Sequence, residues 1–400
     1  MGRLAKKAIM VPLGFLGLGM MIMADVLIPL WAHHLGYSPF QVGMVVGASA
    51  LIPTLFSISA GSICDRLGTR SVLIVSAAGV ILTSLLYPIL TAPLLLFFLQ
   101  LAGGFFRCFA WIGAQVHGSL AEDIKQRNLD LGYLSFGVNL ASLVFPLLVG
   151  TLAGVDAYRT AFLLLSSSGA MLLLLACFLR PDSQSHPRTS TLGELLHPVA
   201  DMMQAARVLK KPGVPFVMTG TFVRLMISAI RQSFYTIYLI HIGLNETIAG
   251  FMLFIVAAVG IAAAPAVMAL SRNRSLEFLL TAVLLASSLA IITTPLFTSV
   301  FSLLPGAAAM GIGSGGSLPL LLALLIKYTT AEERGLAIGM RTSFNQLALM
   351  ISPIIFGTLA EWMSLQNAFY LMGGILIMTT ILSMRLSPMR QKTESLTLFK

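Results

Sequence analysis

Twelve apolar runs follow one another along this chain, near residues 8–32, 40–62, 71–90, 93–116, 131–153, 159–179, 214–240, 246–270, 275–295, 299–326, 335–360 and 366–385. A helix needs about 20 apolar residues to cross the hydrocarbon of a bilayer, at 1.5 Å per residue, and each run meets that length. Inside lipid every backbone N–H and C=O must bond within the protein, which leaves helices as the one solution for runs of this length. The expected fold is therefore all-α, an integral membrane protein of twelve transmembrane helices. Assigning alternate connections to one side sorts the basic residues sharply. One side holds 20 of the 25 Lys and Arg, the other holds Arg159, and four lie within spans. By the positive-inside rule the first side is cytoplasmic, and both termini lie there. A multi-pass protein of the cytoplasmic (inner) membrane is expected.

Composition narrows the function classes. The chain is 57% hydrophobic and 10% charged, with a mean hydropathy of +0.91, which excludes a soluble globular enzyme. A net charge of +10 would point to nucleic acid in a soluble protein. Here the charges sit in connections and tails, so no nucleic-acid partner is expected. Cys64, Cys108 and Cys177 are odd in number and fall in or beside apolar runs, where they read as packing residues and not as a disulfide framework or metal cluster. The basic N-terminus with its long apolar run lacks a convincing cleavage site and reads as a retained first span.

The halves repeat. Pro146–Ala153 (PLLVGTLA) matches Pro353–Ala360 (PIIFGTLA) at an offset of 207, and the same offset pairs Ala161-Phe162 with Ala368-Phe369, and His34, Gly36 and Gly43 with His241, Gly243 and Gly250. An offset holding six spans, an even number, leaves both halves in one orientation, a parallel repeat about an axis along the membrane normal. The domains expected are a six-helix bundle over 1–180, a cytoplasmic linker over 181–213, a second six-helix bundle over 214–385, and a cytoplasmic tail over 386–400. The linker's second part, Leu195 to Ala206, spaces its apolar residues as a helix lying on the inner leaflet would, or as a solvated linker helix.

Between the second and third runs lies Gly61-Ser-Ile-Cys-Asp65-Arg66-Leu-Gly68-Thr-Arg70-Ser-Val-Leu73. This G-x-x-x-D-R-x-G-x-R-x-x-L turn resembles the signature loop of the major facilitator superfamily of secondary transporters, with Thr69 where a basic residue is common and Cys64 where a small residue is usual. The loop Ala331-Glu-Glu-Arg-Gly335 with Gly339 resembles that family's connection between spans ten and eleven. The resemblance implies two six-helix bundles around a midplane site, no cofactor, and spans one, four, seven and ten lining the cavity. It also implies a conformational latch at Gly61, Asp65, Arg66, Gly68 and Arg70, with Arg341 within reach of Asp65. The chain lacks the Gly-Pro pair in span five and the Arg-x-x-x-Gly pattern in span four that mark the family's drug-antiporter subgroups.

Charged side chains at helix centres cost about 2.5–3.5 kcal/mol to insert, so they mark a cavity or pathway. Asp25, Arg107, Arg224 and Arg231 fall on the four spans named above, Arg341 on the eleventh. Arg224 and Arg231 are seven residues apart, about 10 Å along one helix face. Asp25 maps by the repeat onto Gln232, next to Arg231, and could pair with that arginine. As the one acid deep in a span, Asp25 is the candidate proton-coupling carboxylate; Arg107, Arg224, Arg231 and Gln232 are the candidate substrate-binding residues. Glu277 is expected to pair with Arg272 or Arg274. His33, His34 and His241 cluster at the outer surface.

Two motifs are set aside. Gly311-x-Gly313-x-x-Gly316 copies a dinucleotide fingerprint inside a span, without a preceding strand, and reads as close helix packing. His117-x-x-x-x-Glu122 resembles an acyltransferase motif with Glu for Asp; a membrane acyltransferase stands as the remote alternative. No enzyme activity is expected. The favoured reading is a monomeric, proton-coupled carrier for a small organic solute, anionic or carboxylate-bearing, working by alternating access. The alternative is a proton-driven multidrug efflux transporter.

Overall fold

The structure, a computed structural model, describes residues 3–56, 64, 67–121, 123–179, 207–330 and 333–387. Of the latch residues, Gly61, Asp65 and Arg66 lie outside these, as do Glu122, residues 181–206 of the linker and residues 388–400 of the tail.

Among the described residues there are twelve long helices: α1 Arg3–His34, α2 Pro39–Phe56, α3 Thr69–Leu86, α4 Pro93–Ser119, α5 Ile124–Gly154, α6 Tyr158–Phe178, α7 Val214–His241, α8 Glu246–Leu270, α9 Leu276–Thr293, α10 Val300–Tyr328, α11 Arg334–Met363 and α12 Leu365–Ser383. Eleven are long and apolar enough to cross a membrane, and Pro39–Leu55 of α2 is a shorter apolar helix. Their ends follow local chemistry. Asp123 accepts from the backbone N–H of Lys125 and Gln126 to start α5, earlier than its apolar run begins. Ser275 and Ser299 cap α9 and α10 in the same way.

Gly68 shows why the turn before α3 needs its second glycine. It stands at φ 78°, ψ 139°, a region closed to side chains. Gly68→Ala is expected to destabilise the protein by about 1–3 kcal/mol, read as a lower melting temperature in detergent; an unchanged melting curve would show that the turn relaxes without strain.

The described residues cluster into two compact units. One holds α1 to α6 and joins to them Gln232–Phe254; the other holds α7 up to Arg231 and the chain from Ile255 onward. The division falls inside α7, where Arg231–Tyr235 winds as a π-helical turn between two α-helical pieces. Each unit uses the same pairings: α1 on α5, α3 on α4 and α3 on α6 in the first, α7 on α11, α9 on α10 and α9 on α12 in the second. An offset of six helices carries one set onto the other, as the sequence repeat requires.

Glycines set the closest approaches. A Cβ on Gly14 would collide with the carbonyl of Leu134, and one on Gly137 with that of Val11, so α1 and α5 touch backbone to backbone. In the second unit Gly315 meets the carbonyl of Gly260, and Gly311 that of Val256. The glycines of α10 thus mark close packing, Gly311, Gly315 and Gly316 against α8 and Gly313 against α9.

Connections are tied as well. In the first unit Tyr37 donates to the carbonyl of Thr91 at 2.5 Å, and burial pushes its phenol up to about 12. Arg70 reaches the carbonyl of Cys177 at 3.0 Å, and Thr69 lies 3.3 Å from His117 Nδ1. In the second unit Lys211 donates to Glu333 at 2.6 Å, which holds that carboxyl below the usual carboxylate range.

The expected partners of Glu277 are corrected. Lys327 Nζ and the Tyr328 hydroxyl both donate to its Oε1, at 2.6 and 2.5 Å. Glu277 opens α9 and Lys327 closes the antiparallel α10 packed on it, so their ends meet, whereas Arg272 and Arg274 lie in the exposed turn. Glu277 is buried and Lys327 half exposed, so the ammonium can turn to water if its partner is lost. Glu277→Gln is expected to cost about 1–2 kcal/mol; a melting temperature equal to wild type would deny the network any stabilising role.

Candidate functional site

In the first unit the charged groups near the middle of helices are Asp25 on α1 and Arg107 on α4; Asp130, in the second turn of α5, is also buried and accepts from the Gln126 amide at 2.7 Å. Arg107 is 2% exposed. Its guanidinium donates to Gln100 Oε1 at 2.7 Å and reaches the Tyr87 hydroxyl at 3.5 Å, while Tyr87 itself donates to Gln100 Oε1 at 2.7 Å. Gln100 is seven residues before Arg107, two turns up the same helix face, and Tyr87 caps α3, which packs on α4. The cation is thus solvated by two neutral oxygens. Asp25 is partly exposed, between buried Ala24 and Val26, and lies within electrostatic reach of Arg107. Neither forms an ion pair within its unit among the described residues. A charge set this way, close to a carboxylate but not bonded to it, can be rebalanced by a proton or an anion.

At one end of this unit His34 Nε2 stands 3.6 Å from Asp156 Oδ1, and its ring stacks on Trp31 and meets Tyr158 at a tilt. His33 lies within electrostatic reach of Glu246 and His241. The three histidines singled out in the sequence do gather.

In the second unit Arg224, Ser228 and Arg231 recur along one face of α7 and open into a cavity of about 130 Å³. Ile227 of α7, Leu284 and Ser287 of α9, and Gly313 and Ser314 of α10 complete its wall. Arg231 donates to Ser228 Oγ at 3.2 Å, and Arg224 to the carbonyl of Ser314 at 3.5 Å. Arg341 on α11 lies within electrostatic reach of Arg224, as does Arg231. Among the described residues of this unit no acid pairs with any of the three arginines; its ion pairs are those of Lys211 and Lys327. The Nε of each of the three is buried without a hydrogen-bond partner. Gln232 follows Arg231 within the π-helical turn and is partly exposed.

The structure thus places Asp25 within electrostatic reach of Arg107, and sets Arg224 and Arg231 on the wall of one cavity, with Arg341 within electrostatic reach of Arg224 but not among the residues lining that cavity. Tyr87, Gln100, Ser228, Ser287 and Ser314 were not singled out in the sequence. Gln100 carried a signal, a polar residue at heptad distance from a buried arginine. The serines carried none, since Ser is common in apolar helices, where its hydroxyl bonds the preceding turn. Among the described residues no cluster of His, Cys, Asp or Glu suits a metal ion.

The chain matches the Major Facilitator Superfamily over residues 10–296 and 273–398. It is similar to the multidrug resistance protein MdtG of Klebsiella pneumoniae (strain 342), 24% identical over 89% of this chain and 87% of that protein. It is also similar to the multi-drug resistance efflux pump PmrA of Streptococcus pneumoniae serotype 4 (strain ATCC BAA-334 / TIGR4), 30% identical over 39% of this chain and 40% of that one. Among solved structures it superposes on the nucleoside transporter NupG with a TM-score of 0.77 at 14% identity, covering 95% of this chain and 98% of that one. A D-xylose–proton symporter superposes with a TM-score of 0.72 at 14% identity, covering 97% and 98%.

Proposed function

The chain belongs to the major facilitator superfamily of secondary transporters, and on that premise we propose that it exports a small organic solute bearing an anionic group, with Asp25 as the proton-exchanging residue. Membership sets aside the acyltransferase reading of His117. Of the two transport readings the sequence left open, the relatives favour multidrug-type efflux, although the chain lacks the glycine-rich and arginine patterns of the drug-antiporter subgroups. Their names support outward movement of drug-like compounds. The arginine cluster supports an anionic group on the cargo: three guanidinium groups in one unit, none paired to an acid among its described residues, with buried Nε donors unpartnered. A guanidinium out of water demands a counter-charge, and an anionic cargo supplies one. Under this reading the protein sits in the cytoplasmic membrane with both termini inside, where the interior-negative potential already favours expelling anions, by about 2.3 kcal/mol per charge per 100 mV.

The test is retention of fluorescent compounds in cells that express the chain. An anionic dye should be retained less than in cells with empty vector, and a protonophore should restore retention. Equal retention of the anionic dye, with reduced retention of its cationic counterpart, would overturn the anion reading and leave cationic drug efflux.

A further inference from the structure

We propose that the cleft between the end of α3 and the start of α6 binds one glycerophospholipid of the surrounding leaflet, its phosphate on Arg159 and an ester carbonyl on the Ser84 hydroxyl. The site lies in the first unit, is lined by neither Asp25 nor Arg107, and is independent of the cargo. Under the orientation proposed above, the leaflet is the outer one.

The cleft exists because two packed helices part. Gly169 of α6 lets the pair close on Ala77 and Ile81 of α3. Towards the end where α3 stops and α6 starts, they leave a cavity of about 320 Å³ between Leu85, Pro88 and Ile89 on one side and Phe162 and Leu163 on the other. That volume falls within the ~300–1,000 Å³ of ligand pockets. Leu85, Ile89 and Leu163 are exposed, so the mouth of the cleft is apolar too, as suits a surface that faces lipid tails.

Two polar groups interrupt this lining. Ser84 is fully buried, and its hydroxyl has no hydrogen-bond partner. A serine in an apolar helix ordinarily bonds the preceding turn, as neighbouring Thr83 does to the carbonyl of Gly79 at 2.8 Å. The Ser84 hydroxyl therefore calls for a partner that the described chain does not supply. Arg159 is exposed and makes no ion pair among the described residues, while nearby Asp156 faces His34. Because α6 starts without a side-chain cap, N–H groups of its first turn add donors for an anion beside Arg159.

Depth selects the ligand. Tyr87 stacks on Phe162 with ring centroids 5.3 Å apart, which gives the two helices a common level. Arg159 lies three residues outward of that level and Ser84 three residues inward, about 4.5 Å each way at 1.5 Å per residue. The polar layer on each face of a bilayer is about 5–8 Å deep, so two groups ~9 Å apart along the helices reach across it, from the phosphates to the ester carbonyls at its inner edge. A free anion would use Arg159 alone, and a hydrocarbon only the walls. A glycerophospholipid presents phosphate and ester in the order that Arg159 and Ser84 require, and its chain continues inward over exposed Leu82.

The test is native mass spectrometry of the full-length protein, stripped of lipid in a neutral maltoside and titrated with dioleoyl phosphatidylglycerol or with dioleoylglycerol, which has the same esters and chains but no phosphate. At saturation the wild type should carry one phosphatidylglycerol more than Arg159→Gln, while dioleoylglycerol should not distinguish the two proteins. Comparing the proteins cancels lipids held at any other site. Ser84→Ala removes no contact that the free protein makes, so it should fold as the wild type does yet need at least threefold more phosphatidylglycerol to fill the same site. Equal phosphatidylglycerol counts on wild type and folded Arg159→Gln, or unchanged filling in Ser84→Ala, overturn the proposal. Glycerol 3-phosphate that binds the wild type as tightly as the lipid does, and is lost in Arg159→Gln, would make this a site for a free phosphate and overturn it as well.

Discussion

Replacing Asp25 with asparagine is expected to abolish uphill transport while leaving solute binding and exchange intact. The carboxylate lies partly exposed on α1 within the field of Arg107, yet makes no ion pair in its unit among the described residues. Proton-driven export needs the carboxylate ionised on one leg of the cycle and protonated on the other, with proton and solute carried in turn. Asparagine keeps the shape of the side chain but can neither take up nor release a proton, so it removes the drive while leaving the binding site in place. Gradient-driven accumulation in proteoliposomes should drop at least tenfold, with counterflow of labelled solute near wild type. Accumulation that survives in Asp25→Asn would move coupling to another residue.

How far the chain could be read without coordinates depended on the range of the interaction. Twelve helices and two matching halves were legible because burial in lipid imposes length and polarity on each span separately, and a parallel repeat leaves identical residues at one offset. That Arg224 and Arg231 share one helix face followed from 3.6 residues per turn, and Arg107 was placed by its span. Which groups meet them did not follow. Gln100 and Tyr87 hold Arg107 because α3 packs on α4, a tertiary fact. Glu277 was matched to arginines three and five residues away in the chain, when its partner Lys327 stood fifty residues on, at the end of the neighbouring antiparallel helix. The π-helical turn at Arg231–Tyr235 contains neither glycine nor proline and had no local signature. Such turns frequently mark functional sites, and this one begins at an arginine that lines the cavity.

Removing the Arg107 side chain is expected to cost the protein its solute while sparing its fold. A buried arginine usually cannot be truncated without stranding its partners, but here the partners hold each other: the Tyr87 hydroxyl donates to Gln100 Oε1 at 2.7 Å whether or not the guanidinium is present. Arg107→Ala therefore leaves no orphaned acceptor at that pair, and it relieves the cost of a poorly hydrated cation that has no acid bonded to it. The space left by the side chain opposes this gain, so a fall of a few degrees in melting temperature is expected and not a loss of folding. The solute has no such substitute. If Arg107 supplies the counter-charge for an anion in the first unit, its removal should weaken binding at least about thirtyfold, equivalent to about 2 kcal/mol. Arg107→Lys separates charge from geometry. An ammonium keeps the positive charge but lacks the planar fork, and it cannot reach Gln100 and Tyr87 while also offering two parallel donors to a carboxylate or phosphate. Its affinity should fall between those of wild type and Arg107→Ala. Calorimetric titration of the three proteins with one anionic solute decides the matter. Equal affinity across all three, with each protein folded, would make Arg107 a packing element of α3 and α4 and leave the arginines of the second unit as the anion site.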